Sequence, residues 1–172
     1  MFTSFLIWFG LCFVCYLLRT IFEILKSEHA KIASVKGAGI SIYAIMAILW
    51  FSWFQMCIID PEKIFLPRWL RYVGLFFFTA GIFLFILSHR QMKGFKHRGF
   101  IVKNGLYSRI RNPMYLGFTL WVIGFPLFLQ KLYSLYSAII WITFILIWKA
   151  LEEKELERKY PDYQDYKKKT WF

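Results

Sequence analysis

Tyr115–Leu129 reads YLGFTLWVIGFPLFL and Tyr133–Leu151 reads YSLYSAIIWITFILIWKAL, with only Gln130-Lys131-Leu132 between them. Two long apolar runs joined by three residues cannot both be covered by a soluble fold of ordinary size. A bilayer-crossing helix needs ~20 apolar residues for ~30 Å of hydrocarbon, and the second run meets that length. Lipid offers the backbone no hydrogen-bond partner, so both runs are expected to be helical despite their β-branched and aromatic content. The short connection then makes them an antiparallel hairpin.

Working outward, three more apolar blocks precede the hairpin, roughly Phe2 to Leu25, Ile40 to Ile59 and Trp69 to Leu87. Of the 172 residues 59% are hydrophobic and 22% aromatic, against roughly 45–50% apolar in a soluble domain. The reading is an all-α integral membrane protein, one membrane domain over residues 1–172, with about five transmembrane helices. The fourth is short and carries Gly117, Gly124 and Pro126, so a tilt or kink is expected there. No ion pair is expected inside the spans.

Lys and Arg residues alternate between loops in number: 4 from Arg19 to Lys36, 3 from Lys63 to Arg71, 7 from Arg90 to Arg111, 1 at Lys131 and 7 from Lys149 onward. The rich segments belong in the cytoplasm, which puts the N-terminus outside and the C-terminus inside. The net charge of +12 is thereby a feature of topology and of anionic headgroups, with membrane lipids as partners. Nucleic acid is not an expected partner, since no recognition motif accompanies the charge. Cys12 and Cys15 have the C-x-x-C spacing, but they lie mid-span with no second pair or nearby His, and Cys57 is likewise inside a block. They read as apolar packing and not as a metal site or disulfide framework. The first block has no basic flank before it and no small-residue cleavage site after it, so it is expected to remain as a helix.

The connection from Ser88 to Asn112 is the longest and is therefore a candidate for function. It contains His89, His97, Gly94, Gly99 and Gly105, which suggests a turn-rich, folded segment. At its end, Asn104-Gly105-Leu106-Tyr107-Ser108-Arg109-Ile110-Arg111-Asn112-Pro113-Met114-Tyr115-Leu116-Gly117 enters the fourth helix. Pro113 suits a first helical turn and Asn112 an N-cap, so free N–H groups and a positive dipole end face the loop and favour an anionic group there. A capped helix with snorkelling arginines accounts for the same residues. Across the hairpin, at the same depth, Glu152-Glu153 leaves the fifth helix; adjacent like charges there need partners such as Lys149, Arg109, Arg111 or a cationic ligand. The tail breaks at Pro161, and Tyr160, Tyr163, Tyr166, Trp171 and Phe172 suit the headgroup zone.

Gly105-Leu106-Tyr107, then Arg111-Asn112-Pro113-Met114-Tyr115-Leu116-Gly117, then Glu152-Glu153 and Tyr163-Gln164-Asp165-Tyr166 occur in this order around a helical hairpin. The region from Gln91 to Tyr166 thereby resembles the isoprenylcysteine carboxyl methyltransferase and phospholipid methyltransferase-like membrane enzymes. The resemblance implies an S-adenosylmethionine pocket built from the third loop, the start of the fourth helix and the end of the fifth, a place that the Lys and Arg count puts on the cytoplasmic side. Gln91 or its neighbours and the Ile101-Val102 backbone would line the adenosyl side. Tyr107, Asn112, Pro113, Met114 and Tyr115 would hold the cofactor, with the Glu152-Glu153 pair beside it and Glu152 accepting from its ribose or amino group. Asn112 stands where the family has His, and Lys149 lies near where many members have an Arg serving the acceptor.

The reaction so implied is methyl transfer to a lipophilic small molecule or prenylated acceptor, first of all a carboxylate such as a prenylated cysteine. A carboxylate has to be held by a cation, and Arg111 and Lys149 are the candidates on the pocket side. The rival readings are an N-methyltransferase for phospholipid headgroups, an NADPH-dependent membrane reductase, and a small membrane protein without enzymatic activity.

Overall fold

The structure, a computed structural model, describes residues 2–28, 38–93 and 101–172. Six α-helices follow in chain order: α1 (Phe2–Glu28), α2 (Ala38–Ile59), α3 (Arg68–Lys93), α4 (Pro113–Leu129), α5 (Leu132–Lys159) and α6 (Tyr163–Lys169), with a 3-10 turn at Gly105–Ser108 before α4. The described residues hold no strand beyond isolated bridges. Lys31, Lys36, Gly94, His97 and Gly99, which the sequence reading used, lie outside the described residues.

Four helices, α1, α2, α3 and α5, are long and apolar enough to cross a membrane, and α4 is a shorter apolar helix. Its 17 residues span about 25 Å at 1.5 Å per residue, less than the hydrocarbon thickness. The bundle is turned outward in its polarity: Ile40, Phe76, Phe83 and Ile139 are more than half exposed, as side chains meant for lipid are. Inside, aromatic rings carry the packing. Tyr16 stacks between Trp141 and Trp148 at centroid distances of 4.9 and 5.1 Å, and Trp50 meets Trp121 edge-on at 4.4 Å. The Trp148 indole N–H donates to Thr20 Oγ1 at 2.7 Å, which satisfies its one donor in the core.

Helix α4 is held by close backbone approach to α3. Gly74 faces Gly124 and Gly81 faces Gly117, each pair a seven-residue step from the next; a Cβ at Gly81 would come to 2.5 Å of the Gly117 carbonyl oxygen. The glycines thus serve contact between helices. At the far end of α4, Pro126 lies within the helix and Gln130 takes a left-handed conformation, φ 57°, that turns the chain into α5. The start of α5 is capped from a distance: the fully buried Asp60, just after α2, accepts both the backbone N–H and the hydroxyl of Ser134 at 2.7 Å. Cys12, Cys15 and Cys57 are free and buried.

Two expectations are corrected. Helix α3 continues six residues beyond Leu87, because polar residues extend a helix as readily outside hydrocarbon as apolar ones do inside. An ion pair does occur within α1, where Arg19 and Glu23 are neighbours one turn apart. Lys26 then carries the charge cluster to Glu155 of α5 at 2.9 Å.

Candidate active site

Three segments meet where α4 begins. Gly105 has φ 62°, a left-handed conformation that strains any residue with a Cβ, and an added Cβ would also displace the Gln91 amide; Gln91 Oε1 accepts the Leu106 N–H at 3.2 Å. This fixes the turn that buries Tyr107, whose carbonyl accepts the Tyr166 hydroxyl at 2.6 Å. The tail returns alongside: Arg111 N–H donates to the Trp171 carbonyl at 3.0 Å, and Trp171 N–H to that of Arg109 at 3.1 Å.

Beneath this layer Glu153 collects the charges. Its Oε1 accepts from Arg111 Nε at 2.8 Å, Asn112 Nδ2 at 2.5 Å and Lys149 at 3.2 Å, while Lys167 stands 3.4 Å from Oε2. The Arg111 guanidinium also donates to the carbonyls of Lys167 at 3.3 Å and Thr170 at 3.1 Å. The Lys149 ammonium lies 4.9 Å from the Phe172 ring centroid. Asn112 occupies the N-cap position of α4 without capping it through its side chain. Its amide donates to Glu153 and, at 3.1 Å, to the Phe172 carbonyl, both across the site. The tail therefore takes the side chain that the sequence assigns to the helix end.

Above Glu153, a cavity of about 210 Å³ opens between the loop, the start of α4, the end of α5 and α6. Its lining includes Ile101, Val102, Tyr107, Arg111, Asn112, Met114, Tyr115 and Glu152, as well as Met92, Leu156, Lys159, Tyr160, Tyr163 and Tyr166. Glu152, the one acid in that lining among the described residues, accepts the Tyr115 hydroxyl at 2.6 Å. Burial pushes the Tyr107 and Tyr163 hydroxyls well above the ordinary tyrosine range, and that of Tyr166 up to about 12, so all three are protonated donors at neutral pH.

Of the residues singled out from sequence, Gln91, Pro113, Lys149 and Glu153 do not line the cavity. Gln91 braces the Gly105 turn, Pro113 is buried at the helix start, and Lys149 pairs with Glu153 below it. Leu156 and Lys159 were not anticipated, although they follow Glu152 at steps of four and seven, one face of a helix. Tyr160, Tyr163 and Tyr166 were read as headgroup aromatics; the step of eight from Glu152 to Tyr160 and the place of Tyr163 and Tyr166 in the Tyr-x-x-Tyr motif were the signals for the cavity. The arrangement suits a cationic or mixed-charge ligand: among the described residues the lining holds five tyrosines, one carboxylate, Arg111 already engaged by Glu153, and the exposed Lys159.

A family model described as Phospholipid methyltransferase matches residues 69–163. No curated protein and no solved structure matches the chain. The matched segment runs from the start of α3 to the first residue of α6, which includes every lining residue of the cavity except Tyr166. With more than half of its residues inside that match, the chain belongs to the phospholipid methyltransferase family, within the isoprenylcysteine carboxyl methyltransferase-like superfamily of membrane methyltransferases.

Proposed function

We propose that this protein is an S-adenosylmethionine-dependent membrane methyltransferase whose cofactor occupies the tyrosine-lined cavity and whose acceptor is the amine headgroup of a phospholipid. The observation that carries the reading is the cavity itself: a single carboxylate hydrogen-bonded by Tyr115, among five tyrosines, at the boundary of an apolar bundle. When bound, S-adenosylmethionine supplies a methyl group on a sulfonium. Tyrosine rings are good neighbours for such a cation and for the methylated ammonium that forms; the amine attacks as its free base, an N–C bond forming as the S–C bond breaks to leave S-adenosylhomocysteine, with the proton released to water. Glu152 is suited to accept hydrogen from the cofactor's ribose or amino group, while Ile101, Val102 and Met114 give the adenosyl side an apolar wall. Holding donor and acceptor in line inside a dry site contributes of the order of 7–11 kcal/mol.

The sequence reading favoured a carboxylate acceptor held by Arg111 and Lys149. Both cations are engaged by Glu153, which supports the amine instead. A carboxylate acceptor, such as a prenylated cysteine, keeps one point in its favour: Lys159 lines the cavity, is exposed, and lies 5.5 Å from the Tyr160 ring. The positive-inside bias supports a cytoplasmic opening, where a soluble cofactor is found.

The test is calorimetric titration of the purified protein with S-adenosylhomocysteine and with NADPH, followed by transfer of labelled methyl to phosphatidylethanolamine and to a farnesylated cysteine analogue. Binding of S-adenosylhomocysteine and transfer to the amine lipid are expected. Transfer to the farnesylated analogue alone makes the acceptor a carboxylate, and binding of NADPH alone makes the protein a reductase. Glu152→Gln should weaken S-adenosylhomocysteine by ~1–3 kcal/mol, the scale of one lost hydrogen-bond partner.

A further inference from the structure

The two cations that line the cavity among the described residues, Arg111 and Lys159, are not alike. Arg111 is engaged by Glu153 and by the carbonyls of Lys167 and Thr170. Lys159 is exposed, and among the described residues its ammonium has neither a carboxylate nor a carbonyl partner; it lies 5.5 Å from the Tyr160 ring centroid. Arg158, the residue before it, does have such a partner and donates to the Ser27 carbonyl on α1 at 2.8 Å. The cavity wall thus holds one cation whose hydrogen-bond donors are open to a ligand.

Lys159 follows Glu152 by seven residues of α5, which brings it to within about 20° of the same helix face and about 10 Å farther along the axis. Both line the cavity, and Glu152 accepts the Tyr115 hydroxyl. An acid and an unpaired cation two turns apart on one wall match a ligand with hydroxyl or ammonium donors at one end and an oxyanion at the other. The simpler reading is a lysine in the last turn of a helix, placed against its carbonyl end. Such a lysine is indifferent to what enters the cavity.

We infer that Lys159 is the anion-binding residue of the cavity, its ammonium holding an oxyanion that a ligand brings. The inference rests on the reading above, which supplies two such groups: the α-carboxylate of S-adenosylmethionine and the phosphodiester of the phospholipid acceptor. Lys159→Met keeps most of the stem and removes the charge; Lys168→Met, at an exposed lysine outside the lining, makes the same change in net charge. Calorimetry at low and high salt gives the affinities of both variants and the wild type for S-adenosylhomocysteine and for 5′-methylthioadenosine, which has the ribose but lacks the carboxylate. Methyl transfer gives KM for phosphatidylethanolamine. If the carboxylate is held, Lys159→Met weakens S-adenosylhomocysteine about fivefold or more, between an exposed ion pair and a hydrogen bond to a charged group, and 5′-methylthioadenosine holds. If the phosphodiester is held, both nucleosides bind as before and KM for the lipid rises by a similar factor. In either case the wild-type interaction weakens with salt and that of Lys159→Met does not, since screening acts on the charge removed. Unchanged affinities together with an unchanged KM, an equal loss for both nucleosides, or the same effect in Lys168→Met would each overturn the inference and leave the cofactor reading intact. A wild type that binds neither nucleoside overturns both.

Discussion

At Glu153 one carboxylate meets three cations and an amide, and its partners differ in what their loss should cost. The Arg111 and Glu153 side chains are about nine-tenths buried. Breaking a buried pair from one side leaves a charge without compensation, typically ~3–5 kcal/mol, so Arg111→Met should lower the unfolding midpoint in detergent markedly. Lys167 is 40% exposed at the same carboxylate, and Lys167→Met should cost under ~1 kcal/mol. Equal effects would show that the Glu153 cluster is solvated. Tyr166→Phe removes the donor to the Tyr107 carbonyl and should cost ~1 kcal/mol in the same assay. The acidic pair and the nearby cations were legible in the sequence, but their division of labour was not. Adjacent helical residues point about 100° apart, so Glu152 and Glu153 necessarily face different neighbours, and only the packed neighbours decide which one sees the cavity.

Helices α3 and α4 approach through four glycines, and this is the element-scale feature most open to test. Gly81→Ala places a Cβ against the Gly117 backbone, where no flexible side chain can yield, and should cost ~1–3 kcal/mol. Gly10 in α1 has nothing within 4 Å of the same added atom. Gly10→Ala should therefore be neutral or stabilising by up to ~1 kcal/mol, and the two unfolding midpoints in detergent, compared directly, check the contrast. Hydropathy located the spans because their length is set by the bilayer. It misjudged where α3 ends, since a hydropathy scan finds the edge of the lipid and not the end of the hydrogen-bonded helix. Gly117 and Gly124 read as sources of a kink, because their partners Gly74 and Gly81 are named only once the helices are paired in space.

For the whole molecule the outstanding quantity is orientation. The three native cysteines are buried and should be silent toward an impermeant thiol reagent. With cysteine introduced in intact cells, Glu62→Cys should react and Lys169→Cys should be protected, as the Lys and Arg asymmetry requires. Protection of Glu62→Cys with reaction at Lys169→Cys would turn the protein over and place the cavity away from the cytoplasm. The N-terminal helices α1 and α2 lie outside the family match, yet α1 supplies Lys26 to Glu155 and Thr20 to Trp148 on α5. The matched half therefore depends on them for its packing.

Asp60 and the Ser134 it caps are 74 residues apart. At a synthesis rate of about 5–20 residues per second, roughly 4–15 s pass between the emergence of the acid and that of the helix start that receives it. During that interval α2 is already an apolar span, while the carboxylate that follows it has only the Glu62 N–H, two residues on, and water to accept from. The nascent chain must hold that residue at the membrane surface, hydrated, until α5 arrives. Closure of the bundle around Asp60 is thus timed by the ribosome, and slowing translation between the two codons should lengthen the wait without changing the final structure.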